Sequence, residues 1–99
     1  MLVNPQIDTF DTCFSKLRDR RARARIAVCI DRLALGNPGD VKPVGSGVSE
    51  MRIDYGPGYR VYYAQRGRVI VLILCGGTKR TQAADIRRAI EIAESWQED

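Results

Sequence analysis

The sequence predicts a small α+β protein: an antiparallel β-sheet of three main strands, a helical hairpin on one face and a further helix at the C-terminal end. Two observations carry that expectation. Between Val48 and Lys79, runs rich in β-branched and aromatic residues are broken at Gly56-Pro57-Gly58 and at Arg66-Gly67, as in successive hairpins. Two apolar stripes at helical spacing precede those runs and a third follows them.

Leu2-Val3 reads as a short N-terminal edge strand, stopped by Pro5, which cannot donate to a ladder. Asp8 is placed to cap a helix in which Phe10, Cys13, Phe14 and Leu17 share a stripe. Asp19 is placed to cap a second helix. Its stripe is Ala22, Ile26, Cys29, Ile30 and Leu33, and it ends at Gly36, where a left-handed residue is commonly needed. Asn37-Pro38-Gly39-Asp40 and Gly45-Ser46-Gly47 then bracket a loop carrying Lys42.

In the first strand run Ser49, Met51, Ile53 and Tyr55 point one way, and Glu50, Arg52 and Asp54 the other. In the second, Tyr59, Val61, Tyr63 and Gln65 oppose Arg60, Tyr62, Ala64 and Arg66. A three-residue loop at Gly56-Pro57-Gly58 lets the apolar sets coincide, setting Tyr55 across from Tyr59, Asp54 from Arg60 and Arg52 from Tyr62. A two-residue loop would mix the faces. One face is then apolar, and the other gathers Arg52, Asp54, Arg60 and Tyr62.

The third run, Val69 to Cys75, is apolar on both faces and is expected to be the central, best-covered strand. With Arg66-Gly67 as a two-residue turn, Val71 and Ile73 join the Arg52 face, where the last helix or a partner chain must cover them. Gly76-Gly77 ends the strand and places Lys79 just beyond the rim. Thr81 is placed to cap the last helix, with Ile86, Ala89, Ile90, Ala93 and Trp96 as its apolar stripe.

Ninety-nine residues suit one domain spanning 1–99. No apolar run approaches a membrane span, and the N-terminal MLVNPQIDTFD lacks the regions of a secretory signal, so a cytoplasmic protein without membrane contact is expected. Cys13, Cys29 and Cys75 fall at apolar positions without metal-ligand spacing, and there is no histidine. Buried reduced thiols are expected, with a Cys13 to Cys29 bridge as the alternative, and neither a metal nor a small-molecule cofactor.

The net charge of +4 leans toward a polyanionic partner. Seven basic residues lie between Lys16 and Arg32 (Lys16, Arg18, Arg20, Arg21, Arg23, Arg25, Arg32) against Asp19 and Asp31. They form either a solvated helix face or a phosphate or ribosome contact, which makes Arg20, Arg21 and Arg23 candidate RNA-binding residues beside Lys42, Tyr62 and Arg80.

The runs LALGNPGDVKPVGSGVSEMRIDYGPGYRVYY and ILCGGTKRTQAADIRRAIEIA resemble the RelE/ParE superfamily of toxins in type II toxin-antitoxin systems. They are most similar to the HigB-like group of addiction-module killer proteins. The resemblance spans Phe10 to Trp96 and rests on Leu-x-x-Gly, Lys42, Glu50-x-Arg52, Gly58-Tyr59-Arg60-Val61 and Gly76-Gly77-x-Lys79 in that order. It implies a small antiparallel sheet with two helices on one face, mRNA cleavage on the translating ribosome, and neutralisation by a cognate antitoxin, usually a helix-turn-helix protein encoded next door. It also implies that Arg52, Arg60 and Lys79 are the catalytic residues. Asp54 stands where RelE has a second lysine, Asp85 where it has a tyrosine, and the histidines of some HigB relatives are absent.

Metal-free RNA cleavage has the ribose 2′-oxygen attack the adjacent phosphorus, so a protein must stabilise charge on the phosphorane and move protons at both oxygens. Arginine forks suit phosphate oxygens. Without histidine the base must be lysine or tyrosine, whose ordinary pKa values near 10 are too high for pH 7. Neighbouring cations ease the loss of a lysine proton, which favours Lys79. Against this stands simple pairing of Arg52 and Arg60 with Glu50 or Asp54. Tyr62 is either a stacking platform for a base or a surface filler. Two further readings need no catalysis: a ParE-like inhibitor that binds DNA gyrase, and a member that only binds its antitoxin or RNA.

Overall fold

The structure is a computed structural model that describes residues 2–4 and 8–95, with side chains from residue 9 to residue 95. The expected core position of Trp96 lies outside the described residues. The elements run β1 (Leu2–Asn4), α1 (Asp8–Lys16), α2 (Arg20–Ala34), β2 (Val41–Gly45), β3 (Val48–Ile53), β4 (Tyr59–Arg66), β5 (Val69–Gly76), a 3-10 turn (Lys79–Thr81) and α3 (Gln82–Ser95). The strands form a sheet in the order β1-β5-β4-β3-β2, antiparallel except for the β1–β5 pair. This is the small α+β architecture expected, compatible with a RelE-like fold.

Caps set the ends of α2. Asp19 Oδ1 accepts from the Arg21 and Ala22 amides at 2.9 and 3.2 Å. At the other end Gly36, with φ 84°, donates to Leu33 O, and Asn37 donates to Arg32 O, the Schellman pattern that satisfies the last carbonyls.

Helices α1 and α2 cover one sheet face, where Phe10, Ile26 and Leu33 pack on Met51, Ile53, Val61, Tyr63, Ile70 and Leu72. Helix α3 covers part of the other face, setting Ala89 and Ala93 on Val48, Tyr62, Ala64, Val71, Ile73 and Leu74. The last helix therefore covers Val71 and Ile73. Its end is also held by Ser46 Oγ, which donates to Glu94 Oε1 at 3.2 Å.

Four expectations are corrected. Lys42 lies on a strand, not in a loop: Val41–Gly45 pairs antiparallel with β3, and Pro43 is tolerated because β2 is the sheet edge. The β3–β4 loop has five residues, Asp54 to Gly58, so Ile53 pairs with Tyr59, Arg52 with Arg60 and Glu50 with Tyr62. Every residue of β3 and β4 keeps its expected face, because both loops are odd, but each has a different partner. The second turn is Gly67-Arg68, since Arg66 pairs with Val69. The middle strand is β4, although β5 is buried along most of its length.

A bulge between Tyr62 and Tyr63 reverses the alternation of β5, because Tyr63 pairs with Leu72 but Tyr62 with Leu74. Cys75, which alternation alone would set beside Ile73, instead joins the α1–α2 side. There it forms a disulfide with Cys13, across a Cα–Cα distance of 6.0 Å, while Cys29 remains a free thiol. The expectation of three reduced thiols, and its Cys13 to Cys29 alternative, are both overturned by that reversal.

Candidate functional site

On the α3 side, two cross-strand rows run side by side: Lys42, Glu50, Tyr62 and Leu74, then Arg52, Arg60 and Gly76. Direct partners in an antiparallel pair share a face, so Arg52 and Arg60 stand as like charges opposite each other, a destabilising arrangement unless something neutralises it. Glu50 does so. The two ion pairs among the described residues both end on its Oε1, with Arg52 Nε at 3.1 Å and Arg60 Nε at 3.8 Å.

Glu50 is fully shielded from solvent and is the one charged residue in the described core. Tyr62 donates its hydroxyl to Oε2 at 3.0 Å. Gln82, in the first turn of α3, points Nε2 at both carboxylate oxygens, at 3.2 and 3.0 Å. Burial pushes the Glu50 pKa up, but the bonds from Gln82, Arg52 and Tyr62 and the Arg60 charge outweigh it and hold the group below its ordinary value. Glu50 is thus a carboxylate that accepts four hydrogen bonds from three donors, with the Arg60 charge beside it. Tyr62 moves the other way: burial, then the bond to Glu50 and its charge, push its phenol well above the ordinary range.

The arginines differ in exposure. The Arg52 side chain is 45% accessible and the Arg60 side chain 11%. Arg60 Nη1 donates to Gly58 O at 3.3 Å in the loop, while its buried Nε lies too far from Glu50 for a hydrogen bond. Both line a cleft of about 290 Å³ with Asp40, Ile53, Asp54, Gly58 and Tyr59. Asp54 therefore borders the cleft as loop residue, not as the cross-strand partner of Arg60.

Lys79 and Arg80 are exposed in the 3-10 turn, three and two residues before Gln82. Thr81 does not cap α3: its hydroxyl donates to Asp85 Oδ2 at 2.8 Å, bracing the first turn from the side. Lys42 is exposed on β2, directly across from Glu50. Tyr62 has no accessible ring face, so its reading as a stacking platform is overturned by the cover of α3. Arg20 and Arg21 are exposed and Arg23 is half-buried, all on α2, in the layer opposite the arginine pair.

Gln82 was not expected at this site, and Glu50 was expected only as a pairing partner for the arginines on an exposed face; it does pair with both. Alternation put Glu50 on the Arg52 face, but nothing in the local sequence marked it as buried. That follows from β2 on one side, β4 on the other and α3 above. Among the described residues no cluster of histidine, cysteine or acidic side chains is arranged for a metal, and no helix is long and apolar enough to cross a membrane.

The arrangement can grip an anion with two guanidinium groups at the mouth of a cleft. The model of a family described as phage-derived protein Gp49-like (DUF891) matches residues 14–97. A protein of Haemophilus influenzae, named only as uncharacterized, is 50% identical over 86 residues, covering 87% of this chain and 87% of the relative.

Proposed function

Because the chain belongs to the phage-derived Gp49-like (DUF891) family, a group of RelE-like, toxin-like proteins, we propose that it is the toxin of a type II toxin-antitoxin pair, in the HigB-like group, and that it cuts mRNA on the ribosome. The observation that carries this reading is the convergence of Arg52 and Arg60 on one carboxylate beside an open cleft. Glu50 offsets one of their two charges, so the pair retains a net positive charge for a phosphate.

In this reading the outer nitrogens of Arg52, with those of Arg60 that do not face Gly58, hold the phosphate oxygens as the 2′-oxygen attacks. Preorganised donors at that developing charge supply much of the rate, because they need no reorganisation during the reaction. Lys79, exposed at the start of the 3-10 turn, takes the 2′-hydroxyl proton in its neutral form as the 2′-oxygen bonds to phosphorus; the bond from phosphorus to the 5′-oxygen breaks, leaving a 2′,3′-cyclic phosphate and a 5′-hydroxyl that takes its proton from water. Lys42 and Arg80 contact the RNA backbone on either side, and Arg20, Arg21 and Arg23 meet ribosomal phosphate on the other layer. A helix-turn-helix antitoxin encoded next door covers part of the arginine face.

Induction of the protein in cells, followed by mapping of mRNA 5′ ends, tests this. Cuts within translated codons are expected, lost on Arg60→Ala and on Lys79→Ala. Full cleavage by Lys79→Ala removes that residue from the mechanism. A parallel supercoiling assay tests the ParE-like alternative: lost gyrase activity with intact transcripts overturns the nuclease reading.

A further inference from the structure

We infer that Glu50 is a positioning residue for RNA cleavage: a buried carboxylate that fixes the guanidinium groups of Arg52 and Arg60 at the geometry the phosphorane needs. This rests on the nuclease reading and names the residue that organises its site. Three observations support it. Both ion pairs among the described residues end on one oxygen of Glu50, so one side chain sets the spacing of two cations that face each other across β3 and β4. Tyr62 and Gln82 hold that carboxylate from two other elements, which leaves it little freedom to swing. Arg60 Nε is buried without a hydrogen-bond partner, so its position depends on the charge of Glu50 at 3.8 Å and on the Nη1 bond to Gly58.

Glu50 cannot touch RNA, being wholly covered. Its charge also opposes phosphate binding, since it cancels part of the positive field. A residue that costs affinity yet is held by three hydrogen-bond donors makes sense if orientation matters more to cleavage than attraction does. That yields a signature a merely structural role lacks. Glu50→Gln should leave affinity for RNA unchanged or tighter, because a negative charge is gone, and should slow the chemical step, because the arginines are no longer held.

The test uses the full chain with ribosomes translating a defined message. Affinity is read with an mRNA carrying a 2′-deoxy nucleotide at the scissile position, and the cleavage rate constant under single-turnover conditions with the ordinary mRNA. For Glu50→Gln, affinity at or above that of the unaltered protein is expected, with cleavage about ten- to a hundredfold slower, the range that misplacing a reacting group produces. Cleavage within twofold of the unaltered protein, or affinity and rate falling together, overturns the inference. Glu50→Asp gives a second reading should Glu50→Gln fail to fold, since it keeps the charge but withdraws it by one methylene; it too should slow cleavage at retained affinity.

A separate measurement keeps this inference apart from the nuclease reading. The Nε–H resonances of Arg52 and Arg60, assigned by nitrogen-15 NMR, should stand apart from those of exposed arginines and collapse among them in Glu50→Gln. Unchanged resonances in the folded variant overturn the positioning role. An unaltered protein that leaves ribosomal mRNA intact overturns the function proposed above, whatever the resonances show.

Discussion

Tyr62 donates its hydroxyl to Glu50 across the β3–β4 ladder, 3.0 Å from Oε2, and both side chains are closed to solvent. A hydrogen bond to a buried charge contributes more than a neutral one, and removing its donor leaves the acceptor underpaid in a place water cannot reach. Tyr62→Phe keeps the ring that packs on Ala89 and Ala93 and deletes only that bond. Stability should fall by about 2 kcal/mol, measured by urea unfolding, with the slope against urea unchanged. A loss below about 0.5 kcal/mol would mean that Gln82 and the arginines suffice to satisfy Glu50.

Acid should expose the same group. The folded pKa of Glu50 lies below its ordinary value of 4.5, so the carboxylate is favoured in the folded state. Its contribution to stability is therefore present above pH 4.5 and is lost as pH falls through the lower folded value. Thermal unfolding from neutral pH into that acid range should show the unaltered protein losing stability faster than Glu50→Gln, by about 1.4 kcal/mol for each pH unit between the two pKa values. The difference between the two proteins is the quantity to read, because the remaining carboxylates titrate alike in both. Parallel curves would show that Glu50 carries no linked proton.

Gly76 closes the arginine row, opposite Arg60 at the end of β5. A Cβ there would meet Asp85 Oδ2 at 3.0 Å and Tyr62 Cε2 at 3.1 Å. The aspartate can rotate away from its bond to Thr81, but the tyrosine ring is locked between the sheet and α3. Gly76→Ala should cost about 1 to 3 kcal/mol by overpacking, whereas Gly77→Ala, with open space around it, should cost less than about 0.5 kcal/mol. Chemical denaturation of the two variants side by side checks this.

What could be read from the sequence follows the range of the interactions. Alternation along residues 48–53 and 59–66 assigned each side chain to its face correctly, because a strand has period two whatever lies beside it. Pairing depended on where the loop began, and nothing local distinguished a three-residue from a five-residue connection at Asp54 to Gly58. β2 was hidden by Pro43 and Gly45, residues that an edge strand tolerates and a central one does not. Burial of Glu50 and Tyr62 depends on α3, which begins only at Gln82, so their exposure was misjudged although their face was not. Position along the chain, just past Gly76-Gly77, was enough to set Lys79 beyond the end of β5.

The disulfide had the least local signal. Cys13 and Cys75 are 62 residues apart, and the bulge that turns Cys75 toward α1 leaves no mark on the apolar run Val69 to Leu74. Its effect on stability follows from the loop it closes. Constraining a segment of that length in the unfolded chain stabilises the fold by about 2 to 4 kcal/mol, chiefly by lowering the entropy of the unfolded state. The bond also pins α1 to the end of β5, one residue before the Gly76 that faces Arg60. Cys13→Ser should lower the melting temperature under oxidising conditions, and a reducing agent should bring the unaltered protein down toward the variant. Cys29→Ser, which leaves that bond in place, should melt near the unaltered protein in both conditions. A Cys13→Ser variant as stable as the oxidised parent would show that packing of Phe10 and Phe14 on the sheet holds α1 without the bond.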